Sequence, residues 1–269
     1  MRTTVVRRTA LAACAVSLTL LATACGGSSD AEGGKSGKGG NAAEGGGSAP
    51  KTSAKALSAA ELETASLKQG DVAGQKITKA GPADEIPAGD VKADKEACLP
   101  VAHALAGVPE AGTKATTKRK VVTEPKARDK KSIEDMKDGE FEKEMAAAFD
   151  LTATLVALNT YEGTAGPDAF AAISKSATEC AGGFTATFAG EKQKIVSIAE
   201  DKATGGDEAA GWTVTAEQDG QKMPFKLVAL RKEGTVATFY SINLAAAMDK
   251  GAELAAPVEV VAAQAKKLG

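Results

Sequence analysis

The feature that most constrains the fold is the strand-and-turn rhythm of residues 184–243. Five segments, 184–188, 194–199, 211–217, 222–231 and 235–243, are rich in β-branched and aromatic residues and are bounded by turn residues. Asp219-Gly220 lies between two of them and is the dipeptide that best tolerates positive φ at both turn positions, while Glu233-Gly234 makes a second tight turn. A two-residue link joins neighbours that run in opposite directions, whereas a parallel pair needs a crossover of about a dozen residues. The segments are therefore expected to form an antiparallel meander, and the short links argue against parallel winding.

Upstream, Ser58-Ala59-Ala60-Glu61 has the spacing of a capping box and predicts a first helix carrying Leu62, Ala65 and Leu67. Residues 75–79 read as a short strand. Asp94 is expected to cap a second helix running through Cys98, Pro100 and Leu105 to Gly107, and 115–124 reads as a β-branched, basic strand. In 148–161, Phe149, Leu151, Ala153, Leu155 and Ala157 alternate with Asp150, Thr152 and Thr154, the pattern of a long half-buried strand. Pro167 opens a helix whose Phe170, Ile173 and Ala177 share a face, and Ala181-Gly182-Gly183 stops it. After Pro257, a closing helix carries Val258, Val261, Ala262 and Ala265 as its stripe. The charge run 125–144 reads as a solvated, mobile loop between strands. The expected fold class is α+β: an antiparallel sheet with several packed helices in a single domain.

The beginning of the chain has a different character. Arg2, Arg7 and Arg8 precede an uncharged run of Ala, Leu, Val and Thr that extends to Ala24. A basic start followed by an apolar stretch too short for a stable span is the pattern of an export signal. Arg7-Arg8 leaves the choice between the general and the twin-arginine route open. Leu21-Ala22-Thr23-Ala24-Cys25-Gly26 resembles the bacterial lipobox, which implies cleavage before Cys25, lipid on its thiol and attachment to the outer face of the cytoplasmic membrane. Two or three acyl chains on one cysteine, palmitate among them, satisfy the need for more than one chain in stable anchoring. Residues 25–55 are Gly, Ser, Ala and Lys in the main, a composition that buries no core and gives a coil reaching about 30 Å. The expected organisation is 1–24 signal, 25–55 lipidated tether and 56–269 folded domain.

Residues 56–269 hold 26 basic and 32 acidic residues, a net charge near −6 that gives no footing for nucleic acid. Cys14 leaves with the signal and Cys25 is consumed by lipid, so Cys98 and Cys180 remain, and two cysteines in an exported domain are expected to pair. With one histidine, His103, no CxxC and no GxSxG, SxxK or HExxH in a supporting context, no catalytic residue, metal ligand or cofactor-binding residue is assigned. Glu200-Asp201 and the Glu140-Phe141-Glu142 stretch read as solvated carboxylates, and Gly205-Gly206-Asp207 as a turn. Lys118-Arg119-Lys120 reads first as an edge strand kept soluble by lysines, and second as a basic patch for anionic headgroups or acidic wall polymers. Trp212, the only tryptophan, and Tyr240 are either core or the wall of a cleft, and together they mark the candidate cleft.

Leu57-Ser58-Ala59-Ala60-Glu61-Leu62, the Cys98 and Cys180 pair, the strand ending Leu158-Asn159-Thr160-Tyr161, and the closing helix with Ala263-Gln264 together resemble the extracellular sensor domain of PknH-type mycobacterial receptor kinases and the free lipoproteins that share it. The resemblance covers most of 56–269. It implies an α+β fold with a large cleft for an unidentified ligand. The family's domain has two disulfides, whereas this chain can make one, so a signalling role does not carry over directly. The expectation is a non-enzymatic binding or sensing lipoprotein, partnered by the membrane through Cys25 and by a small molecule, lipid or envelope protein. The alternatives are a lipid or glycolipid carrier and a scaffold for other envelope proteins.

Overall fold

A computed structural model describes residues 54–123, 150–247 and 254–269. All of these belong to one compact unit, Ala49–Gly269. Residues 1–24, expected to be an export signal, Cys25, nearly all of the expected tether 25–55 and the charge run 125–144 lie outside the described residues.

The architecture is one large antiparallel sheet with helices on both faces. Its strands are β1 (Gln75–Lys79), β2 (Val91–Ala93), β3 (Ala115–Thr123), β4 (Thr152–Thr160), β5 (Phe184–Phe188), β6 (Glu191–Asp201), β7 (Glu208–Gln218), β8 (Gln221–Lys232) and β9 (Thr235–Asn243). The helices are α1 (Ala59–Ala65), α2 (Leu99–Leu105), α3 (Ala165–Glu179), the single turn α4 (Leu244–Ala247) and α5 (Val258–Leu268). The order across the sheet is β1-β3-β4-β9-β8-β7-β6-β5-β2. The meander β5 to β9 is thus the predicted one, with β4 and β3 added beyond β9 and the three-residue β2 closing the far edge. More of the domain is sheet than helix.

The turns form as their residues dictate. Asp219 and Gly220 both take positive φ, 51° and 78°, between Gln218 and Gln221, and Ala189-Gly190 does the same between β5 and β6. Pro224 sits inside β8 because β8 extends past the end of β9 there, where its missing N–H breaks no ladder. A bulge between Ile195 and Ser197 brings Ile195 and Ile198 to the same face although they are three residues apart. Gly183 lies against that bulge, where any Cβ would collide with the backbone of Ile195 and Val196.

Alternation along β8 divides the core. Phe225, Leu227 and Ala229 pack with α2 and α3 on one face; Val228 and Leu230 pack with α1 and α5 on the other. The sheet is therefore buried on both sides here, which revises the half-buried expectation for β4: Val156 and Leu158, on the side of Thr154, are as buried as Ala157. The stripe of α5 is also rotated from its expected position. Val260, Val261 and Gln264 face inward, whereas Val258 is 64% exposed and Ala262 is exposed. Gln264 is fully buried because its amide closes α1: it accepts from Leu67 N–H at 3.1 Å and donates to Ala65 C=O at 2.7 Å.

Helix α1 starts with the predicted capping box. Glu61 N–H donates to Ser58 Oγ, and Ser58 N–H donates to Glu61 Oε2 at 2.8 Å; the Ser58 hydroxyl first, and its N–H after it, hold the Glu61 carboxyl below its ordinary pKa. Helix α2 differs from expectation. Asp94 does not cap it; its carboxylate accepts from Thr185 N–H on β5. The cap comes from α3, where Ser176 Oγ donates to Ala97 C=O at 2.7 Å and accepts from Val101 N–H at 3.2 Å. Beside this relay, Cys98 and Cys180 form a disulfide with Cα atoms 5.8 Å apart, joining the start of α2 to the end of α3. Gly107, at φ 62°, ends α2 with Val108 N–H bonded to His103 C=O and Gly107 N–H to Ala104 C=O.

Candidate functional site

The face covered by α2 and α3 carries a small apolar hollow. Its walls come from Phe188 on β5, Gln193 and Ile195 on β6, Phe225 on β8, Tyr240 on β9, Leu105 and Ala106 at the end of α2, and Ile86 from the preceding loop. The volume is about 180 Å³. Small side chains stand next to the lining residues in the sheet: Ala216 on β7 pairs with Ile195, and Ala186 on β5 pairs with Gln193. Phe225 and Tyr240 meet at one side with ring centroids 5.3 Å apart and planes tilted by 32°.

Two of the lining residues, Tyr240 and Gln193, carry polar groups. The Tyr240 hydroxyl makes no hydrogen bond to a described residue, and burial alone raises its pKa above the ordinary tyrosine value, so it stays protonated at neutral pH. The Gln193 amide is the second. None of the lining side chains carries a charge.

Trp212 and Tyr240 lie in one cross-strand row, Trp212, Leu227, Tyr240, with Leu227 between them. They line different spaces. Trp212 is 3% exposed and borders a polar hollow of about 420 Å³ near Ser174 and Thr178 of α3. Tyr240 belongs to the apolar hollow, with Ile86, Phe188, Gln193 and Phe225 as partners that sequence reasoning did not select. Phe188 and Phe225 stood in predicted strands, whereas Ile86 lies in a loop and Gln193 just outside the predicted strand 194–199, and nothing in the local pattern marked the four as convergent. A larger groove, about 820 Å³, lies elsewhere, among Ala54, Lys55, Pro167, Asp168, Asp207, Glu208, Arg231 and Glu233.

The solved structures that are similar include the extracellular domain of PknH from Mycobacterium tuberculosis, with a TM-score of 0.48 and 11% sequence identity over 80% of this chain and 97% of that one. The resemblance is one of fold. No protein-family model matches the chain. No curated protein matches it either.

The basic strand is not the edge it was expected to be. β3 is paired on both sides, by β1 and β4, so the edges are β1 and β2. Lys118 and Arg119 are 4% and 6% exposed and are held by ion pairs rather than displayed. Lys118 Nζ lies 2.7 Å from Glu85, and Arg119 reaches Glu63 at 2.6 Å, Leu67 C=O at 2.9 Å and Thr117 Oγ1 at 3.0 Å. The Thr117 hydroxyl first, and Arg119 after it, hold the Glu63 carboxyl below its ordinary pKa.

The other flagged residues are also tied into the fold. His103 Nδ1 lies 3.0 Å from Glu110, whose N–H donates to the Tyr161 hydroxyl. Asp207 accepts from Glu233 N–H at 2.7 Å and pairs with Arg231 and Lys232, so Gly205-Gly206-Asp207 is a turn that braces the β8–β9 turn. Asp201 pairs with Lys226. Among the described residues, no group of three or more His, Cys, Asp or Glu is placed to hold a metal ion, and no helix is long and apolar enough to cross a membrane.

Proposed function

We propose that the chain is a non-enzymatic binding domain held at the extracytoplasmic face of the membrane by lipid on Cys25, and that ligand enters the hollow beside Tyr240. The observation that carries the reading is the hollow itself: an apolar space between the sheet and the end of α2, a helix tied by the disulfide to α3, with two neutral polar residues and no charge in its lining. The address rests on the export signal and the Leu21 to Gly26 lipobox-like stretch.

The hollow also weighs against the lipid-carrier alternative. Pockets for drug-sized ligands run from about 300 to 1,000 Å³. The apolar hollow is about 180 Å³, and two grooves of that size, about 820 Å³ near Arg231 and about 510 Å³ between α1 and α5, both have charged residues in their lining.

Two measurements test the proposal. Cys25→Ser should move the protein out of the membrane fraction of cells; a variant that stays bound overturns the anchoring. Thermal-shift screening of the mature Cys25→Ser chain against metabolites and wall fragments should find saturable stabilisation, since a ligand at a hundred times its Kd adds about 2.7 kcal/mol. Silence across both sets overturns the binding reading.

A further inference from the structure

We infer that the Tyr240 hollow takes a neutral single-ring molecule of about phenol size, bearing one hydroxyl or carbonyl group that the Tyr240 hydroxyl and the Gln193 amide recognise. The inference rests on the binding reading above and narrows it to a ligand class.

Size gives the first limit. An apolar cavity of about 150 Å³ stays dry and accepts benzene, so a space of this order fits one ring with a small substituent. The hollow measures about 180 Å³.

The lining gives the second limit. Ile86, Leu105, Phe188, Ile195 and Phe225 offer only carbon surface, and the tilted Phe225–Tyr240 pair presents ring faces and edges against which an aromatic guest packs. A charged group seated against this lining would lose hydration with no opposite charge to meet, so carboxylates and amines are disfavoured there.

Polarity gives the third. The Tyr240 hydroxyl is protonated and can donate or accept one hydrogen bond, and the Gln193 amide can do both. A guest with one hydroxyl or carbonyl satisfies them better than a pure hydrocarbon does. An unmatched hydroxyl costs free energy in an apolar space, so the match separates phenol from benzene.

The test uses the mature chain carrying Cys25→Ser, without detergent, because micelles would absorb the probes. Benzene, phenol, 4-methylphenol and benzoate are titrated, and backbone amide chemical shifts are followed by NMR. Phenol and 4-methylphenol are expected to shift residues of β5, β6, β8 and β9 around the hollow, benzene to do so more weakly, and benzoate not at all. Tyr240→Phe should weaken phenol about fivefold, the value of one hydrogen bond, and leave benzene unchanged. Ile86→Trp, a loop substitution that fills the space, should abolish both while the spectrum stays folded.

Phenol shifts that map away from the hollow overturn the inference, as does equal binding of benzoate or indifference of phenol to both substitutions. If the four probes are silent while a compound from the thermal-shift screen stabilises the chain, the ligand class is wrong and the binding reading stands. If nothing binds in either experiment, both fall.

Discussion

Replacing Cys98 and Cys180 together by alanine removes the covalent tie between the start of α2 and the end of α3. The two cysteines are 82 residues apart, and closing a loop of that length restricts the unfolded chain by about 4.5 kcal/mol in the chain-entropy model. That figure is an upper one, because residual structure in the unfolded chain already limits it, and about 3 kcal/mol is a fair lower expectation. The native state itself should change little. Both sulfurs are buried against Val101, Ile173 and Ala177, and the Ser176 hydroxyl still joins Ala97 C=O to Val101 N–H. The loss is thus expected to arise in the unfolded ensemble, which has a specific signature: the denaturant slope m should rise, because the freed chain exposes more surface on unfolding. Urea unfolding of the mature Cys25→Ser chain, with and without the two alanines and followed by circular dichroism, measures both quantities. A loss below about 1 kcal/mol with an unchanged m would refute the reasoning, since it would mean that the bridge restricts almost nothing that packing has not already restricted.

Two further outcomes are expected. Arg119→Met should cost about 2–4 kcal/mol in the same assay, because it leaves Leu67 C=O and Thr117 Oγ1 without their donor; Glu63 is 43% exposed and can turn to water, which keeps the loss below that of a fully buried pair. A loss under about 0.5 kcal/mol would show that the guanidinium is dispensable to the packing of α1 on β3. The second outcome concerns pH. Asp84, Asp201, Asp207, Asp71 and Glu63 all have lowered pKa values: Asp84 and Asp207 chiefly through backbone N–H donors at Gly81 and Glu233, Asp201 and Asp71 through Lys226 and Lys267, and Glu63 through Thr117. Depressed folded values mean that their contribution is complete above the unfolded values near 4 and is lost as pH falls through the folded ones. The urea midpoint should therefore hold from pH 7 to about 5 and fall steeply below about 4; a midpoint at pH 3 equal to that at pH 7 would contradict the assignment.

Much of the local structure could be read in advance because its causes are local. Asp219-Gly220 turns wherever it stands between two strands, Ser58 and Glu61 cap each other within one helical turn, and β9 matches its predicted limits because Glu233-Gly234 and the end of its alternation mark them. The misread parts have distant causes. Asp94 looked like a cap, but the donor and acceptor at the start of α2 are met by Ser176, 75 positions from Val101. Lys118 and Arg119 looked like a displayed charge until Glu85 and Glu63 met them from other elements. Val258 looked like part of the buried stripe, and only the docking of α5 on α1 through Gln264 shows which side turns inward.

The sequence alone determined most of the elements, though not β2 or α4, the antiparallel sense of the meander, and the expectations of export and a lipidated Cys25, because each depends on residues close together in the chain or on composition. Tertiary structure decided the sheet order that places β2 at one edge and β1 at the other, and the burial of the sheet on both faces. It also decided the convergence of Ile86, Phe188, Phe225 and Tyr240 on one hollow. The physical reason is range: a turn or a cap is settled by neighbours a few residues away, whereas a cavity depends on which strands become neighbours and how large the side chains between them are.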